Sequence, residues 1–159
     1  MTQAVQDRVL AAPGRRHPHL GRQLVGGFYL VMGGVHLGLV SADTGVYRTF
    51  ADEALFGFVR DGWADIVMPH MAVWGLLLMA GEITLGTLLL VGGRAAPWGW
   101  AGVIAFHLLL LLFGFWAWAW AVPALVVLVL LARHDLRVAA EEAAGTDDNR
   151  KHDVEEVAA

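Results

Sequence analysis

From Ala95 to Ala132 the chain runs 38 residues without a single Asp, Glu, Lys or Arg. As one helix that stretch would be about 57 Å long at ~1.5 Å per residue. The hydrocarbon core of a bilayer is only about 30 Å thick. Water cannot solvate so long an apolar run, and lipid cannot hold it as one straight element. Two helices joined by a tight reversal satisfy both limits. The reversal belongs near Gly114-Phe115-Trp116-Ala117-Trp118-Ala119-Trp120, because Gly loosens the backbone and Pro123 suits a first helical turn.

Two further stretches have the same character. Gln23 to Ala42 carries no formal charge, and Ile66 to Gly93 carries only Glu82. Four spans follow, at about 24–42, 66–92, 97–115 and 119–134, within a transmembrane domain of residues 23–134. The fold class is all-α, an integral membrane four-helix bundle. Composition agrees: the chain is 57% hydrophobic and 16% charged, against about 45–50% and about 25% for a soluble domain. With four spans both termini share a side with the loop around Arg94. That side holds Arg8, Arg15, Arg16, Arg22, Arg94, Arg133, Arg137, Arg150 and Lys151, and the other only Arg48 and Arg60. Basic residues favour the cytoplasmic ends, so the bias predicts N-in, C-in. Tryptophans settle at membrane interfaces, which places Trp98 and Trp100 at the inner one and Trp63, Trp116, Trp118 and Trp120 at the outer. Val40-Ser41-Ala42 looks like a signal-peptidase site. The run before it is too long, too rich in Gly, and interrupted by His36, so it is taken as a span.

The net charge of −4 is an average over unlike segments. Residues 135–159 carry eight acids against three bases, −5, and residues 1–134 carry eight bases against seven acids, +1. Residues 1–22 are a polar, basic cytoplasmic arm beside anionic headgroups, broken by Pro13, Gly14 and Pro18 and expected to be disordered. The acidic tail 135–159 is expected to be disordered beyond 145. In the first outer loop, Tyr47, Phe50, Ala54, Leu55, Phe58 and Val59 recur at helical spacing, predicting a short amphipathic helix lying flat over the bundle; an ordered loop is the alternative. No basic–aromatic interleaving or phosphate loop points to nucleic acid. The absence of cysteine excludes disulfides, thiolate metal sites and dithiol redox chemistry.

Four ionisable residues fall within the spans: His36, His70, Glu82 and His107. Such residues are costly in lipid and face the bundle interior. Spacing puts His36 on a stripe with Gly26, Tyr29 and Gly33. Glu82 shares one with Gly75, Met79 and Gly86, and His107 one with Trp100, Val103 and Gly114. Small residues mark the surfaces where membrane helices meet, so each polar residue faces a neighbouring helix. Several roles are open. Glu82 and His107 can hydrogen-bond each other as structural glue. They can grip a quinone or another small ligand, or move protons. His36 and His107 can ligate haem b. A metal site has only three dispersed ligands to draw on, and none is assigned.

The run Gly81-Glu82-Ile83-Thr84-Leu85-Gly86-Thr87-Leu88-Leu89-Leu90-Val91-Gly92-Gly93-Arg94 resembles the DoxX family and its DoxX-like relatives. Their pattern there is a membrane Glu, a Gly four residues on, a Leu-rich run, then Gly and a basic residue. Glu82, Gly86, Leu89, Gly92 and Arg94 match it. The Gly-rich first span around Gly33-Gly34-Val35-His36 is similar to the family's opening helix, and the order of long and short loops fits. The resemblance implies a small four-helix protein of the bacterial inner membrane. That family includes a membrane subunit of a thiosulfate:quinone oxidoreductase. The resemblance therefore implies a membrane subunit or scaffold of a redox or respiratory system, not catalytic on its own and associated with quinone. A soluble or membrane redox protein, or a second copy of the chain, is the expected partner. The alternatives are a proton-coupled membrane enzyme or carrier using Glu82 and His107, and a b-type cytochrome subunit. Only Glu82 is carried over as a family position.

Overall fold

A computed structural model describes residues 19–52 and 54–158. Four helical stretches are long and apolar enough to cross a membrane: Leu20–Ala42, Gly57–Val91, Gly93–Phe113 and Phe115–Thr146. The α-helical elements are α1 (Leu20–Ala42), α2 (Thr49–Asp52), α3 (Gly57–Gly62), α4 (Met71–Val91), α5 (Ala96–Leu110) and α6 (Phe115–Ala158). Most of the basic arm lies outside the described residues. Its last residues, from Leu20 to Arg22, are already the first turn of α1.

The first loop is not one helix. A 3-10 turn at Thr44–Arg48 leads into the single turn of α2, and the chain is non-helical again before α3. Asp43 starts the turn, its carboxylate accepting the Gly45 N–H at 2.7 Å. The apolar residues of this segment do not share one surface: Tyr47 and Ala54 are buried, whereas Leu55, Phe56 and Phe58 are exposed. A continuous helix would need them on one face. From α3 the chain passes through a π-helical stretch, Trp63–Val67, and a 3-10 turn, Met68–His70, into α4. Pro69 has no N–H to give to an α-helical ladder, so the irregular geometry gathers around it. The 21 residues of α4 then span about 32 Å, close to a hydrocarbon core.

The α5–α6 hairpin is tighter than the spacing predicts. A 3-10 turn at Leu111–Phe113 runs into Gly114 at φ 94°, and α6 begins at Phe115. That left-handed backbone is cheap only for glycine. The Trp118 backbone N–H bonds the Gly114 carbonyl at 3.0 Å, and its indole N–H reaches the Leu111 carbonyl at 2.6 Å. Because the helix starts so early, Pro123 lies in its interior rather than in its first turn. The helix also continues through residue 145, where disorder was expected, to Ala158. Ala139, Ala140, Glu141, Glu142, Ala143 and Ala144 are strong helix formers, and no proline interrupts them.

The most extensive helix contact is between α1 and α4. It is a backbone-to-backbone approach: a Cβ added at Gly86 would lie 2.7 Å from the Gly26 carbonyl oxygen. α5 packs against both α4 and α6. Tyr29, Leu89, Trp100, Val103, Leu128 and Ala132 form a dense core layer. The outward faces are apolar too, with Leu24, Phe28, Val31, Leu77, Leu109, Val126 and Leu130 all exposed. An apolar exterior around a small-residue interior suits lipid as the surrounding solvent.

Candidate functional site

A cavity of about 450 Å³ lies between the helices, within the usual range of small-molecule sites. α1 contributes Tyr29 and His36, α4 Leu78 and Glu82, α5 Phe106 and His107, and α6 Trp120. The first loop closes over it with Val46, Tyr47, Phe50 and Trp63, joined by Phe113 from the hairpin. Phe50, Trp63 and Phe113 meet edge to face or tilted, with Trp63 and Phe113 centroids 5.0 Å apart. The walls are otherwise almost wholly aliphatic and aromatic, so the few polar groups decide what can bind.

The structure brings three of the four ionisable residues together. Glu82 is 4% exposed, and its Oε1 lies 3.4 Å from His36 Nε2. His36 Nδ1 is 2.6 Å from the Tyr47 hydroxyl, and the two rings stack at 5.8 Å. When Nε2–H of His36 faces the carboxylate, Nδ1 is the acceptor of the Tyr47 O–H. Tyr47 is held for this by its own carbonyl, which accepts the Trp63 indole N–H at 2.9 Å. Burial, and behind it the Glu82 charge, push the Tyr47 phenol above its ordinary value, so it keeps its proton at neutral pH.

His107 is buried, and its Nδ1 lies 2.9 Å from the Val103 carbonyl and 3.2 Å from the Tyr29 hydroxyl. A carbonyl can only accept, so Nδ1 carries the hydrogen and Nε2 is left as a free acceptor. The expected Glu82–His107 bond is replaced by Glu82–His36, because α4 packs more extensively on α1 than on α5. The second carboxylate oxygen, Glu82 Oε2, is buried without a hydrogen-bond partner. A group of that kind is costly unless something supplies the missing bond. His70 does not join the cluster. It is exposed at the start of α4, where the irregular backbone around Pro69 turns it from the interior. Among the described residues, no three histidine or carboxylate side chains converge as metal ligands would.

A second polar cluster lies at the opposite end of the bundle. Asp135, 3% exposed, accepts the Trp100 indole N–H at 3.0 Å and lies 2.7 Å from His19 Nδ1. Arg22 Nη1 approaches the same carboxylate at 3.9 Å, and His19 Nε2 lies 3.4 Å from Glu142. Trp100 is 1% exposed, so it is a core anchor and not the interfacial residue its position suggests. The sequence places Asp135 at the start of the acidic tail 135–159, and its one signal for burial is that it is the first acid after the last apolar run. Tyr47 was visible only as one apolar position in the loop. No family model, curated protein or solved structure matches this chain.

Proposed function

We propose that the chain is a DoxX-like bacterial inner-membrane protein, N-in and C-in, that serves as a non-catalytic membrane subunit or scaffold of a redox or respiratory system and holds a quinone. The observation that carries this is the unpartnered Oε2 of Glu82, buried in an aliphatic and aromatic cavity. A quinone matches both features: a flat lipophilic ring fits the walls, and its carbonyl or hydroxyl oxygens complete the polar groups. Glu82 and the free Nε2 of His107 would hold the headgroup, while Phe106 and Trp120 offer flat surfaces beside it. When bound, the quinone would supply two-electron, two-proton redox chemistry. The chain's own residues orient it, exclude water, and present a proton at Glu82. The biased distribution of Lys and Arg supports the sidedness.

A proton-coupled enzyme or carrier draws support from the same Glu82, with His36 replacing His107 as the adjoining base. Haem b finds less: both ring nitrogens of His36 are engaged, at 2.6 and 3.4 Å, which leaves none for iron. Purification in mild detergent tests the proposal. Extracts of the wild type should contain quinone at near one per chain, with a redox protein co-eluting. Glu82→Gln should lose the quinone at unchanged abundance. If no quinone is present, or if Glu82→Gln only lowers abundance, Glu82 is structural and the proposal fails.

A further inference from the structure

We propose that Tyr47, His36 and Glu82 form a proton-exchange path that connects the cavity to the loop end of the bundle, while the opposite end is closed. The inference deepens the quinone proposal by assigning the side on which its site exchanges protons, and it rests on Glu82 as the proton-bearing group.

The geometry is a chain of three titratable groups on three separate elements. Tyr47 sits on the loop turn, His36 near the end of α1, and Glu82 inside α4. The contacts are 2.6 Å from the Tyr47 hydroxyl to His36 Nδ1 and 3.4 Å from His36 Nε2 to Glu82 Oε1. Imidazole relays a proton by taking it on one nitrogen and releasing it from the other. In the transfer, the Tyr47 O–H bond breaks as Nδ1–H forms. The Nε2–H bond breaks as the Glu82 O–H forms, and a hydronium ion reaching the loop end gives its proton to the phenolate and is left as water. One proton moves from hydronium to the Glu82 carboxylate, and no electrons change hands. Because a phenolate is unfavourable at Tyr47, the steps run together rather than through a stable anion.

The other titratable groups lining the cavity beside Glu82 are joined to each other. They are Tyr29 from α1 and, from α5, His107, whose Nδ1–H is shared by Val103 and Tyr29. Among the described residues, no lysine or arginine lines the cavity. Towards the other end the way is blocked by Leu89, Trp100 and Val103, each at most 1% exposed. Asp135, the buried acid beyond that layer, is bound to Trp100 and His19 and does not face the cavity.

Infrared difference spectroscopy on the full chain in lipid nanodiscs, with no quinone added, tests the path. A downward pH step should raise the carboxylic acid band that Glu82→Gln removes. Tyr47→Phe and His36→Gln should each slow its rise by about 100-fold, and Asp135→Asn should leave the rate unchanged. Wild-type rates in either Tyr47→Phe or His36→Gln, or slowing by Asp135→Asn, would overturn the inference. Because no ligand is present, its failure is distinct from a failure to bind quinone.

Discussion

At Gly86 the interface between α1 and α4 has no room for a side chain. The Gly26 carbonyl oxygen would sit 2.7 Å from an added Cβ, and the reciprocal contact at Gly26 is 3.0 Å. Neither obstacle is the end of a flexible side chain that could swing away. Gly86→Val should therefore force the two helices apart and cost about 1–3 kcal/mol, seen as a lower unfolding midpoint in detergent. Gly81, with open space around it, should tolerate Ala. Such positions were legible in the sequence because small residues repeat at helical spacing, and Tyr29, His36, Glu82 and His107 lie on the same stripes. What spacing does not carry is which stripe meets which. Glu82 could have paired with either histidine, and the choice of His36 depends on the closeness that the glycines permit. Tyr47 was less legible still, since a loop residue's partner is set by how the chain folds back over the helix ends.

Among the elements, the four apolar spans were readable because the absence of charge over a bilayer's width has few explanations. Their ends were not. α6 begins at Phe115 because Gly114 alone can make the turn, and the tryptophan indole at position 118 binds the free Leu111 carbonyl. The opposite end of the bundle is tied by Asp135, which joins α6 to Trp100 of α5 and to the residues at the start of α1. The Trp100 indole is the donor that allows this carboxylate to be buried. Trp100→Phe should leave Asp135 Oδ2 short of a bond, costing about 1–3 kcal/mol before any packing loss. Thermal unfolding of the purified variant checks it, and a midpoint equal to wild type would show that the indole–carboxylate bond contributes nothing.

In the whole molecule, the cavity lies between two unlike ends. The end holding His19, Arg22 and Asp135 is packed and charged. The other is covered by a broken, aromatic loop whose Tyr47, Phe50 and Trp63 form part of the cavity wall. The exterior is apolar on all four helices, which are long and apolar enough to cross a membrane, and the buried polar atoms lie in the interior. We propose that this interior binds a quinone through Glu82. Titrating the purified protein with a short-chain quinone and following tryptophan fluorescence tests that claim, because Trp63 and Trp120 line the cavity. Saturable partial quenching is expected in the wild type, with affinity lowered about tenfold, ~1.4 kcal/mol, in Glu82→Gln. Linear quenching that never saturates, and is identical in the two proteins, would contradict it.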